Sequence, residues 1–134
     1  MASILKVDEL QGIVSAGDIT VTSEGGAATQ SLQQGLSKAW VNYKGTTTNE
    51  VRDSLNVASV SDDGAGVFTV NYSNSFNNSS YAATGSIDGT GVVSGAVLEI
   101  RDYGTSSLVL RSMHSNLSNT DMPTIGADIH GDLA

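Results

Sequence analysis

A short run of alternating side chains, VFTVNY at Val67–Tyr72, most constrains the fold of this chain. Phe68, Val70 and Tyr72 share one face of that run. Successive side chains of a β-strand point to opposite faces, so the run predicts a strand with one buried face. The preceding segment 62–66, DDGAG, is typical of a hairpin, because Gly supplies the positive φ that tight β-turns require.

Similar short runs recur through the rest of the chain at spacings of about ten residues, with turn residues between them. They lie at 40–43, 55–57, 81–85, 97–100, 108–111 and 125–133. This spacing predicts an all-β fold, an antiparallel β-sandwich of jelly-roll-like type. Val60 is out of phase with its strand and predicts a bulge, and Phe76 in a polar loop is expected to fold back as a core plug.

The first 35 residues differ from the rest, and we predict that residues 1–35 form an N-terminal arm for attachment and oligomerisation. The arm holds two strand-like runs, at 4–7 and 18–22, and residues 36–134 form the sandwich. A chain with few aromatic residues has a thin core, which copies of itself often complete. The expected interface residues are Ile4, Leu5, Val7, Ile19, Val21, Leu32, Leu36 and Trp40.

Residues 27–39 contain the only segment compatible with a helix. Leu32 and Leu36 fall on one helical face, and Thr29 or Ser31 could cap its start. Gly35 lowers the helix propensity of the segment by roughly 1 kcal/mol relative to Ala. We therefore expect a short helix of one to three turns that joins the arm to the sandwich.

The charge of the chain disfavours two classes of partner. Its formal net charge is −8, and it has only six Lys and Arg residues. Nucleic acids and anionic membrane surfaces both require a basic footprint, so we expect neither as a partner. No apolar stretch approaches the ~20 residues of a membrane span, and residues 1–6 lack the pattern of a signal peptide. We expect synthesis in the cytoplasm without a signal peptide, and no membrane insertion.

The sequence contains few residues arranged for chemistry. It has no Cys and no G-x-S-x-G nucleophile motif. The carboxylates of Asp53, Glu99 and Asp102 lie beside Arg52 and Arg101, which favours surface ion pairs over a pair of hydrolytic carboxylates. We therefore predict a non-enzymatic protein with no catalytic residues and no cofactor.

Two further constellations leave alternatives open. Asp128, His130 and Asp132 share one strand face, where symmetry copies around an axis could complete a metal site; the competing interpretation is a solvent-facing polar strand end. Aromatic residues could line a sugar-binding surface, with core or interface positions as the alternative and Trp40 as the expected interface residue. These aromatic residues are Trp40, Tyr43, Tyr72, Tyr81 and Tyr103.

Several segments together resemble a recurrent module of tail-fibre-like and other virion structural proteins of tailed phages, especially marine and cyanobacterial ones. They are 33–36 (QQGL), 38–43 (KAWVNY), 51–57 (VRDSLNV), 63–66 (DGAG) and 68–72 (FTVNY). The opening 2–8 (ASILKVD) and the ending 130–134 (HGDLA) are also similar to those of such proteins. Residues 112–129 resemble the module least, and receptor or sugar contacts are expected there.

The resemblance implies a β-rich, self-associating virion component, commonly a homotrimer, that mediates assembly and host adhesion. Its implied partners are copies of itself, other phage virion proteins and a host-surface glycan or receptor. One alternative is a capsid decoration protein that stabilises the shell. Another is a carbohydrate-active enzyme of a tail spike. A compact domain of this size cannot form a long fibre shaft, because a strand advances only ~3.3 Å per residue.

Overall fold

The computed structural model describes residues 4–15, 18–92 and 94–134, which fall into two compact units, Met1–Leu36 and Ser37–Ala134. Residues 1–3 and 16–17 of the predicted arm lie outside the described residues. Among the described residues, no helix is both long and apolar enough to span a membrane.

The N-terminal unit contains one hairpin and one helical turn. Strand β1 (Thr20–Thr22) pairs antiparallel with β2 (Thr29–Ser31), and α1 (Leu32–Gly35) follows directly. The Ser31 hydroxyl accepts a hydrogen bond from the Gln34 N–H at 3.4 Å, so the prediction of Ser31 as a helix cap is confirmed. The helix is one turn long, because Leu36 already has extended dihedral angles, φ −96° and ψ 145°.

The predicted strand at 4–7 is wrong. These residues belong to no strand in the described chain, whereas the run at 18–22 contributes β1. An extended segment becomes a strand only when a neighbour completes its hydrogen-bond ladder, and no described strand pairs with 4–7. Alternating apolar residues alone were therefore not enough to predict a strand at the start of the chain.

The C-terminal unit is an antiparallel sandwich of two four-stranded sheets, which confirms the predicted all-β sandwich class. The first sheet has the strand order β4-β3-β10-β7 and the second has the order β5-β6-β9-β8. Strand β10 comes last in the sequence but inserts between β3 and β7. In the described chain the strands are β3 (Ala39–Lys44), β4 (Glu50–Leu55), β5 (Val57–Gly64), β6 (Val67–Tyr72), β7 (Ala82–Asp88), β8 (Val97–Arg101), β9 (Ser107–Met113) and β10 (Thr124–His130).

One hydrophobic core joins the inward faces of β3 and β10 to those of β6 and β9. Phe68, Val70 and Tyr72 are buried, as their alternation predicts. Phe76 is 2% exposed and packs against the rings of Tyr72 and Tyr81, so the predicted plug is confirmed. The remaining core residues include Ala39, Val41, Tyr43, Leu108, Leu110, Met122, Ile125, Ala127 and Ile129.

The hairpin between β5 and β6 lies at the predicted position, with positive φ at Gly64 (130°) and Gly66 (67°). The bulge predicted from the change of phase at Val60 is confirmed, because the register shifts between Val57 and Ser59, and Val60 then pairs with Val70. A second register shift lies between Asp62 and Gly64, next to the turn.

Candidate functional site

The outward face of the first sheet carries a groove over β3, β10 and β7. Strand pairing places Asp128 between Trp40 on β3 and Thr84 on β7. In the next row, Gly126 lies between Asn42 and Ser86. The groove has a volume of about 400 Å³ and is lined by Trp40, Val41, Asn42, Thr84, Gly85, Ser86, Gly126, Ala127 and Asp128.

Gly126 lies in the middle of the groove and has no side chain. The neighbours of Gly126 in β10, Ile125 and Ala127, are buried, so position 126 belongs to the outward row. A Cβ atom at this position would lie 2.6 Å from the Ser86 hydroxyl oxygen. The Gly126 backbone and the Ser86 hydroxyl beside it therefore form the floor of the groove.

Asp128 is the charged residue of the groove lining, and two neighbours hold its carboxylate. The Ser37 hydroxyl donates a hydrogen bond to Oδ1, and His130 Nε2 lies 3.0 Å from Oδ2. These contacts, the Ser37 hydrogen bond above all, hold the pKa of Asp128 below its ordinary value despite partial desolvation. Asp128 is therefore ionised at neutral pH and acts as a hydrogen-bond acceptor.

Ser37, Asp128 and His130 are not arranged in a way that would activate Ser37 as a nucleophile. Ser37 donates to the carboxylate and not to the imidazole of His130. Activation of a serine requires its hydroxyl to lie against a base that can take the proton, with the carboxylate behind that base. The arrangement therefore fixes the Asp128 carboxylate in place and supports ligand contact better than covalent catalysis.

The Asn42 end of the groove is held by Arg52. The Arg52 guanidinium donates to Asn42 Oδ1 at 3.4 Å, to Thr124 Oγ1 at 2.8 Å and to the Pro123 carbonyl at 2.8 Å. The predicted ion pairing of Arg52 is therefore wrong, because its donors go to neutral acceptors. Arg101, by contrast, lies 3.0 Å from the Asp102 carboxylate, as predicted for a surface pair.

The weak metal candidates are brought together only in part. Asp128 and His130 share the outward face of β10 and contact each other, whereas Asp132 lies beyond the end of that strand. Within 4–15, 18–92 and 94–134, no group of three or more His, Cys, Asp or Glu side chains is placed to hold a metal ion. A single chain therefore brings Asp128 and His130 together but does not provide a complete set of metal ligands.

The aromatic residues are divided between the core and the surface. Tyr43, Tyr72 and Tyr81 are buried, and Tyr103 is 38% exposed with its ring 5.2 Å from that of Tyr81. Trp40 is half-buried and is the aromatic residue that lines the groove. The tyrosines that the sequence grouped with Trp40 as a sugar-binding surface do not form one face with it.

The predicted interface residues of the arm are largely exposed. Ile4 and Leu5 are each 78% exposed, and the exposed fractions of Val7, Val21 and Leu36 are 54%, 50% and 55%. The other three candidates, Ile19, Leu32 and Trp40, are half-buried.

Three more exposed apolar residues of the arm were missed at the sequence level. They are Leu10, Ile13 and Val14, with exposed fractions of 47%, 104% and 92%. They follow the polar break at Asp8 and Glu9 and belong to no strand or helix. The signal that could have found them is their apolar character alone, because they have no strand or helix periodicity.

The sequence matches no protein-family model, and no curated protein or solved structure matches it.

Proposed function

We propose that this chain is a structural protein of a phage virion surface, in which the N-terminal arm attaches to the assembly and the sandwich projects outward. The observation that carries the assembly role is the absence of a core in the arm. No described residue between 4 and 36 is buried. The described residues from 4 to 36 nevertheless include eight exposed large apolar side chains, against six in the described part of the much longer C-terminal unit.

The size of this apolar surface supports association. Full burial of a Val, Leu or Ile side chain contributes about 1.5–3 kcal/mol. Eight such side chains could offset the free-energy cost of ordering an arm against a partner, which is of comparable size.

The C-terminal unit, in contrast to the arm, has the features expected of the part that projects outward. Its large apolar side chains are mostly gathered in one core. A folded head with a core, and an arm with no buried residue among those described, divide the chain into a projecting part and an attaching part.

The virion setting and the homotrimeric state rest on the resemblance of 33–72 to the phage module. The residues that carry it lie mainly in the described strands β3 to β6 and in the turn between β5 and β6. Self-association through the arm would cover its apolar residues with identical residues from sister chains. The attachment point is either the tail or the capsid, and the arm fits both.

Labelling of particles tests the proposal. Gold-conjugated antibodies against the sandwich should label the outer surface of purified phage particles in electron micrographs. Labelling of tailless empty heads would identify the capsid as the attachment point, and labelling confined to tails would identify a fibre. Purified particles from which the protein is absent, in micrographs and in peptide mass spectra, would contradict the proposal.

A further inference from the structure

We propose that the groove lined by Trp40, Asn42, Thr84, Ser86, Gly126 and Asp128 is a binding site for a neutral saccharide. This inference goes beyond the assembly role and does not depend on it. All of these residues belong to the C-terminal unit, Ser37–Ala134. The volume of about 400 Å³ falls within the range of roughly 300–1,000 Å³ that is typical of small-ligand sites.

The two walls of the groove match the two kinds of surface on a sugar ring. A pyranose ring has an apolar face of C–H groups and a rim of hydroxyls. Trp40, half-buried on the outward side of β3, offers an aromatic surface for the apolar face. Thr84 and Ser86, both exposed on β7, offer hydroxyls that can donate and accept hydrogen bonds.

Asn42 and Asp128 complete the polar set, and both are held by other protein groups. Arg52 donates to Asn42 Oδ1, which leaves the amide N–H groups of Asn42 available as donors. Ser37 and His130 contact the Asp128 carboxylate, whose side chain is still 47% exposed. Fixed polar groups lose little side-chain entropy on binding, so a preorganised set of this kind favours ligand recognition.

Gly126 leaves room for the Ser86 hydroxyl in the middle of the groove. The Ser86 hydroxyl oxygen lies 2.6 Å from the position that a Cβ at residue 126 would have, so this hydroxyl lies beside the Gly126 backbone and can meet a ligand there. A side chain at position 126 would displace the hydroxyl and occupy the space between the walls.

Charge and hydrogen bonding disfavour other classes of ligand. The charged group in the lining is the Asp128 carboxylate, which repels phosphates, nucleotides and acidic sugars from the Trp40 end of the groove. A metal ion would find one carboxylate there, already in contact with Ser37 and His130. Neither β3 nor β10 can take an added strand, because both are paired on their two edges.

Trp40 is the single tryptophan of the chain, so its fluorescence reports on the groove directly. The full chain should be titrated with maltohexaose, cellohexaose, mannohexaose and chitohexaose, and with an oligogalacturonate of similar length as the acidic probe. The expected result is a saturable fluorescence change with at least one neutral oligosaccharide. No saturable change with any neutral oligosaccharide up to about 10 mM, or a change with the acidic probe alone, would overturn the proposal.

Two variants assign the binding to the groove. The double variant Thr84→Ala with Ser86→Ala removes two exposed hydroxyls and keeps the Trp40 reporter, and it should weaken binding roughly tenfold. Tyr103→Ala removes an exposed aromatic ring outside the groove and should leave affinity unchanged. Equal affinity of the double variant and the unchanged chain, or a loss of binding in Tyr103→Ala, would place the sugar elsewhere and overturn the proposal.

Circular dichroism and urea unfolding of each variant separate loss of binding from loss of folding. The same titration of an arm variant, Ile13→Ser with Val14→Ser, separates this inference from the proposed function. Sugar binding should persist in that variant even where assembly is lost. Failure of binding with intact assembly would overturn the saccharide site alone.

Discussion

The hydroxyl group of Tyr72 donates a hydrogen bond to that of Tyr81 at 3.2 Å inside the sandwich, and Tyr81 in turn donates to the Gly104 carbonyl at 3.0 Å. Burial raises the pKa of both tyrosines above the ordinary value. Both rings also contact Phe76, the plug predicted from the sequence. The end of the core is thus built from polar-tipped rings whose hydroxyls have partners.

Tyr43 offers a contrast that can be measured. Its hydroxyl is buried and has no hydrogen-bond partner among the described residues. Burial, together with the charges of Asp62 and Asp121, raises its pKa to about 12. Because an unpaired buried hydroxyl costs free energy, Tyr43→Phe should leave the free energy of unfolding unchanged or raise it by up to about 1 kcal/mol. Urea unfolding measures the difference.

Tyr72→Phe is the matched control for that change, since the same atom is removed from a paired hydroxyl. It should lower the free energy of unfolding by about 1 kcal/mol. A Tyr43→Phe variant destabilised as much as Tyr72→Phe would show that the Tyr43 hydroxyl has a partner in solution.

Gly66 should tolerate no side chain. Its φ is +67°, and a Cβ would lie 2.3 Å from the Ser112 carbonyl oxygen and 2.5 Å from the Thr120 nitrogen. Backbone atoms cannot move aside as a flexible side chain can. Gly66→Ala should therefore lower the free energy of unfolding by about 2–5 kcal/mol, from the left-handed backbone and the overpacking together. Thermal and urea unfolding both report this loss.

Gly91 provides the control, because its φ is +79° and no atom of the described residues lies within 4 Å of its Cβ position. Gly91→Ala should cost only the backbone strain, about 1–2 kcal/mol. Similar losses for the two variants would mean that the contacts around Gly66 do not constrain it.

Asp128 should make the fold less stable as the pH falls. Its pKa is lower in the folded chain than the ordinary value near 3.8, chiefly through the Ser37 hydrogen bond. A group with a depressed folded pKa stabilises the fold above its unfolded pKa, and this contribution disappears as pH falls through the folded pKa. The free energy of unfolding of the unchanged chain should therefore exceed that of Asp128→Asn by its largest amount at neutral pH. This difference should become smaller below about pH 4.

Ser37→Ala tests the cause of that shift. Carboxyl NMR titration should show the pKa of Asp128 moving upward in this variant, toward the value of an unperturbed aspartate. An unchanged pKa would assign the shift to His130 or to the backbone instead.

Much of the sandwich could be predicted because its signals are local. The burial of Phe68, Val70 and Tyr72 follows from alternation within a few residues, and the turn at Gly64 and Gly66 follows from glycine content. The strand predicted at 4–7 was wrong because a strand also needs a partner, which no local pattern specifies. The bulge before Val60 could be predicted, because the change of phase between Val57 and Val60 is visible in the sequence itself.

The groove could not be predicted from the sequence. Its lining comes from β3, β7 and β10, which lie side by side only because β10 inserts between the other two. Gly126 lies at its centre, and the sequence alone does not show which residues of the neighbouring strands flank that glycine. The sequence did place Asp128 and His130 on one face, because their spacing of two residues is local to a single strand.

The central claim is that the exposed apolar residues of the arm drive association of this chain with copies of itself. Light scattering on the full chain measures the solution mass, and the double variant Ile13→Ser with Val14→Ser removes the two most exposed apolar side chains of the arm. Leu117→Ser, which removes a side chain that is 64% exposed in the sandwich, is the control. We expect a trimer for the full chain and for the control, and a monomer for the arm variant. A monomeric full chain, or an arm variant that remains trimeric, would contradict the claim.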